Sequence, residues 1–124
     1  MMKKTGILVI DGEDPFCSFL KETLSPEKFE LSFMLPGDTK NAKITGVTVN
    51  QDAVGAIIIS TQTNGNSINT KSCIEGLIDD GFKGPILIKS VFKIDPTAQK
   101  LLEYGATDVI HATKIPEHLN ELFA

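Results

Sequence analysis

Three apolar runs in this chain end in groups able to take part in chemistry. Ile7-Leu8-Val9-Ile10 runs into Asp11, Ala56-Ile57-Ile58-Ile59 into Ser60, and Ile86-Leu87-Ile88 through Lys89 to Ser90. In a parallel α/β sheet, ligands and reacting groups gather at the carboxyl ends of the strands. A phosphoryl-accepting site in that place needs a carboxylate on the middle strand, because a carboxylate is ionised at neutral pH and is already a nucleophile. Ser60 offers a hydroxyl instead, and a hydroxyl needs an adjacent base. The two histidines are His111, near the end of the last apolar strand, and His118, further on. Neither is obviously placed to serve. The simpler role for Ser60 and Ser90 is that of small strand-end residues satisfied by local backbone groups.

Other candidates are weaker. Asp11 and Glu13 could hold a divalent cation, but Gly12 between them adds no charge and Ser60 removes a ligand. No metal site and no cofactor are therefore expected, and the protein is not expected to be an enzyme. The stretch after Ser60 carries Thr61, Thr63, Asn64, Gly65, Asn66 and Ser67 ahead of a helix. Its amides and hydroxyls would suit an anion at a helix N-terminus, with a mobile polar loop as the simpler reading. Flavin phosphate loops have this composition, but after the first strand rather than the third, which argues against flavin.

Composition narrows the class. The chain of 124 residues is 41% hydrophobic and 23% charged, with a net charge of -4, which describes a globular domain with one core. One domain over residues 1–124 is expected. No basic cluster exceeds Met2-Lys3-Lys4, so the footprint of a nucleic-acid binder is missing. No run approaches membrane-spanning length, and the N-terminal stretch is too short for a secretory signal. Cys17 and Cys73 form neither a metal spacing nor a disulfide framework; they suit a reducing, cytoplasmic compartment.

These groups need elements to position them. Continuous β-branched runs predict strands covered on both faces at 6–11, 55–60 and 85–90. Phe29, Leu31 and Phe33 alternate and predict a strand over 28–35; residues 107–111 predict a fifth. Asp14-Pro15 opens a helix whose apolar face holds Phe16, Phe19, Leu20, Thr23 and Leu24, and Ser25-Pro26 stops it. Helices are predicted over 68–80, with Ile74, Leu77 and Ile78 inward, over 95–104 closed by Gly105, and over 116–123 with Leu119, Leu122 and Phe123 inward. A short, distorted crossover helix is expected within 38–51, where Gly46 lies among β-branched residues. Five strands alternating with five helices argue for a doubly wound parallel sheet.

On these residues the chain resembles the receiver domain of two-component response regulators over essentially its full length. The resemblance is carried by Ile7-Leu8-Val9-Ile10-Asp11-Gly12-Glu13, Ala56-Ile57-Ile58-Ile59-Ser60, Ile86-Leu87-Ile88-Lys89-Ser90 and Gly105-Ala106-Thr107-Asp108, with thirty positions from Ser60 to Ser90 and fifteen from Ser90 to Gly105. It implies a flavodoxin-like, five-stranded parallel sheet flanked by five helices. It also implies a phosphorelay pocket: an acceptor aspartate on the third strand, two acids after the first strand holding Mg²⁺, a hydroxyl on the fourth and a lysine after the fifth. Here Asp11 fits the first acid, Gly12 replaces the second with Glu13 one step late, Ser60 replaces the acceptor, and Ser90 keeps the hydroxyl. The lysine slot falls at Ala112, with Lys114 two residues late, and Val109 fills the slot of a switching aromatic.

A serine phosphoester would also lack the transfer potential of an acyl phosphate. The expectation is a pseudo-receiver, a non-phosphorylatable interaction or regulatory module of bacterial signalling. The alternatives are a response regulator that keeps metal binding or modification in altered form, and a small-ligand sensor using residues 61–67. The resemblance further implies self-association or a protein partner on the face from Asp95 to Tyr104 and Pro116 to Phe123, with Lys100, Glu103, Glu117 and Glu121 at its rim.

Overall fold

The computed structural model describes residues 5–10, 14–34, 54–60, 62–63, 66–67, 70–79, 82–91 and 96–124. The strands are β1 (Thr5–Ile10), β2 (Phe29–Met34), β3 (Val54–Ser60), β4 (Gln62–Thr63), β5 (Asn66–Ser67), β6 (Ile86–Ser90) and β7 (Asp108–His111). The helices are α1 (Asp14–Thr23), α2 (Thr70–Asp79), α3 (Pro96–Lys100) and α4 (Ile115–Leu122). Short 3-10 turns at Leu101–Tyr104 and Ala112–Lys114 follow α3 and precede α4.

Five strands form one parallel sheet in the order β2-β1-β3-β6-β7. This is the flavodoxin-like doubly wound topology. Because side chains alternate along a strand, each central strand feeds both faces. Ile7, Val9, Ala56, Ile58 and Leu87 meet Phe16 and Leu20 of α1 and Ile115 and Leu119 of α4. Leu8, Ile10, Ile57, Ile59, Ile86 and Ile88 meet Ile74 and Leu77 of α2, Ala98 of α3 and Leu101. Burial on both faces explains why these strands read as unbroken apolar runs. Removing each such side chain from water contributes about 1.5–3 kcal/mol.

Local chemistry sets the joints. Leu24 donates to the Leu20 carbonyl (2.9 Å), and the chain turns through Ser25, whose carbonyl accepts from Lys28 and Phe29. Gly105 closes the Leu101–Tyr104 turn at φ 115°, a left-handed conformation that glycine adopts without penalty. Phe123, half-buried, meets Phe29 edge-to-face at 6.2 Å between ring centroids.

Several expectations change. Thr23 is exposed, and its hydroxyl donates back to the Phe19 carbonyl at 2.7 Å. Ile78 (43% exposed) and Leu122 (44%) stand at the edges of their helices' apolar stripes rather than inward. Ile74 and Leu77 fill the centre of the α2 contact, and Ile78 lies over Gly105 instead. The helix predicted over 95–104 is, over its described residues 96–104, split between α-helix and 3-10 turn. Residues expected to form one polar loop include an antiparallel pair, with Gln62 opposite Ser67 and Thr63 opposite Asn66. The crossover helix expected within 38–51 lies outside the described residues. No described helix is long and apolar enough to cross a membrane.

Candidate functional site

Among the described residues, the buried polar or charged side chains are Ser60 (0% exposed), Lys89 (4%) and Ser90 (3%). All three stand at the carboxyl ends of β3 and β6, and all three are engaged by neighbouring groups. Their arrangement follows from register. Ser60 pairs with Lys89 across β3 and β6, Lys89 pairs with Ile110 across β6 and β7, and Ser90 pairs with His111. Alternation puts Ser60 and Lys89 on the α1/α4 face with Ile58 and Leu87, and Ser90 on the other face with Ile88.

The Lys89 ammonium lies over the Phe16 ring, 4.6 Å from its centroid. An ammonium at that distance is drawn to the negative face of the ring. Residue type alone does not single out Lys89 as a site residue, because lysines are mostly exposed. The signal in the sequence is a lysine set directly behind three consecutive buried residues, Ile86-Leu87-Ile88.

The remaining candidates are placed as follows. Ala112 is half-buried and packs on the α1/α4 face, so the slot assigned to a lysine holds a methyl group. Lys114 is exposed, with 71% of its side chain accessible, and pairs with Glu117 at 3.8 Å. Val109 packs against the α2/α3 cluster. The His111 Nδ1 accepts from the Thr113 N–H (3.2 Å) and lies 2.8 Å from the Thr113 hydroxyl. It therefore caps the turn into α4, and that nitrogen is committed to the cap rather than to a serine proton. Asp11, Gly12, Glu13, Thr61, Asn64 and Gly65 lie outside the described residues; Thr63, Asn66 and Ser67 belong to the β4–β5 pair. Among the described residues, no group of three His, Cys, Asp or Glu side chains could hold a metal ion. Cys17 is half-buried.

No family model and no curated protein matches the chain. Solved structures do. A response regulator receiver protein from Pseudoalteromonas atlantica superposes with TM-score 0.71 at 19% identity, covering 94% of this chain and 91% of that one. A two-component response regulator from Clostridium difficile gives TM-score 0.71 at 17% identity, covering 96% and 92%. A CheX–CheY–BeF3–Mg²⁺ complex from Borrelia burgdorferi gives 0.71 at 13% identity, covering 97% and 90%. The fold is the receiver fold.

Position 60 at the end of β3 and position 89 of β6 are register partners at the carboxyl edge of the sheet, and position 90 follows on the opposite face. What these positions carry is a hydroxyl beside an ammonium on one face and a second hydroxyl on the other. Chemically, such a set can donate hydrogen bonds to negative oxygens. It holds no carboxylate nucleophile at position 60.

Proposed function

We propose that this chain is a regulatory module of bacterial signal transduction that keeps the receiver fold and works without aspartyl phosphorylation. The observation that carries the reading is Ser60, a fully buried hydroxyl at the end of β3, where the receiver resemblance calls for an ionised acceptor. A neutral hydroxyl there does not attack a phosphodonor without a base, and the His111 Nδ1 is engaged as the cap of the 3-10 turn before α4.

With the covalent switch gone, output runs through constitutive protein contact. The face built from α3, its 3-10 turn, β7 and α4 exposes Leu102, Tyr104 and Leu122, apolar groups suited to a partner or a second copy, with the charged side chains around them setting register more than affinity. The decisive experiment is incubation with Mg²⁺ and beryllofluoride, followed by fluorine NMR, with acetyl phosphate and intact-mass measurement alongside. No adduct and no labelling are expected. A stable, Mg²⁺-dependent adduct on the unchanged chain overturns the reading.

A further inference from the structure

One charged side chain among the described residues lies inside the sheet. Lys89 is 4% exposed and follows Ile86, Leu87 and Ile88 in a strand buried along its whole length. Placing an ammonium there is costly unless the surroundings favour it, so its direction carries information. Its Nζ is 4.6 Å from the centre of the Phe16 ring, and Phe16 is itself 6% exposed near the start of α1. The ring holds the ammonium on the α1/α4 face.

Ser60 is the register partner of Lys89. Paired residues of neighbouring parallel strands project from the same face about 4.8 Å apart, well within the reach of a lysine side chain. Across β6 and β7 the same face passes through Ile110, the other register partner of Lys89, to Ala112 two residues later. Ala112 is the slot in which the resemblance sets a lysine. The neighbouring strand residues of this face, Ile58, Leu87 and Ile110, are apolar.

We infer that Lys89 supplies the ammonium of this strand-end site, from the strand next to Ser60 rather than from the end of β7, and that Phe16 is its positioning residue. An ammonium next to position 60 favours negative oxygen there, whether a carboxylate or a phosphoryl group. That Lys89 and Ser60 are register partners on one face is geometric; the meaning of Lys89 as a displaced part of a receiver pocket rests on the proposed function above.

The test titrates a carboxyl placed at that position. Ser60→Asp is made with Lys89 intact and again with Lys89→Met, and the introduced carboxyl is followed by ¹³C NMR across pH. With Lys89 present it should titrate below the ordinary aspartate range. With Lys89→Met, burial without a cation should raise it, separating the two by about two pH units. Coincident titrations overturn the inference. A second measurement needs no new buried carboxyl. In ¹⁵N-labelled protein, the Lys89 ammonium resonance, assigned by its loss in Lys89→Met, should shift in both Ser60→Ala and Phe16→Leu. A resonance indifferent to both changes overturns it equally. Neither readout uses phosphodonor or Mg²⁺, so a beryllofluoride adduct on the unchanged chain would end the proposed function while leaving this result standing.

Discussion

Thr107 and Ile86 exchange two hydrogen bonds across the gap between β6 and β7. The Thr107 N–H donates to the Ile86 carbonyl at 2.7 Å, and the Thr107 hydroxyl accepts from the Ile86 N–H at 2.9 Å. The side chain thus completes the ladder where β7 has not yet begun. Thr107→Val keeps the shape and β-propensity but leaves the Ile86 N–H without that acceptor. A loss of about 1–3 kcal/mol is expected, the cost of an unsatisfied buried amide, whereas Thr107→Ser should lose less because it keeps the hydroxyl. Urea denaturation of the three proteins checks this; equal midpoints for Thr107→Val and the unchanged chain would contradict it.

A different kind of constraint acts two residues earlier. Gly105 sits at φ 115°, and a Cβ there would run into the Ile78 Cδ1. Gly105→Ala should therefore destabilise by about 1–2 kcal/mol through the left-handed backbone alone, and by more through the clash. Ile78 is 43% exposed, so trimming it costs little burial. In the double variant Gly105→Ala/Ile78→Ala the clash component should vanish and the backbone component remain. The double-mutant cycle read by thermal unfolding separates them, and strict additivity would show that Ile78 does not obstruct the position.

Much of this fold is legible in the amino-acid sequence because its central strands are buried on both faces. A run such as Ile7 to Ile10 or Ala56 to Ile59 has few other ways to be satisfied. Gly105 is legible as a helix stop for the same reason that it resists substitution. The edges of the helical stripes are not. A 3.6-residue period groups Ile78 with Ile74 and Leu77, and Leu122 with Leu119, yet cannot say which of them meets the centre of the sheet and which its rim. The β4–β5 pair is hidden because Gln62, Thr63, Asn66 and Ser67 are all polar and show no alternation, although Asn64-Gly65 between them is a hairpin signal. Within the site, Ser60 and Ser90 can be placed by counting. Lys89 cannot, because register and the Phe16 ring, rather than residue type, turn its ammonium inward.

Rebuilding the acceptor tests how much of the pocket remains. Ser60→Asp restores an ionised nucleophile at the end of β3 beside Lys89. It does not restore a carboxylate at Gly12, so the cation that would neutralise a transferring phosphoryl group has one ligand fewer. Slow, substoichiometric labelling by acetyl phosphate with Mg²⁺ is expected, measured by intact mass over time. Adding Gly12→Asp should accelerate it. Rapid, complete labelling of the single variant would mean that the second acid is dispensable here.

The surface contact can be tested with substitutions chosen by burial. Leu119 is fully buried under the sheet while Leu122, one turn on, is 44% exposed. Leu119→Asp would thus report on the core and not on a partner face, and should unfold or grossly destabilise the chain, since an unpaired charge in an apolar core is among the most damaging changes. Leu122→Asp and Tyr104→Ala remove partly exposed side chains and should leave the chain folded. If the α3–β7–α4 face mediates self-association, sedimentation equilibrium should show a concentration-dependent dimer that both of these variants weaken. Because no acyl phosphate is expected to bias it, the dimer fraction should not change on adding acetyl phosphate and Mg²⁺. A chain that stays monomeric at high concentration, and whose partner binds both variants normally, would move the contact to another surface.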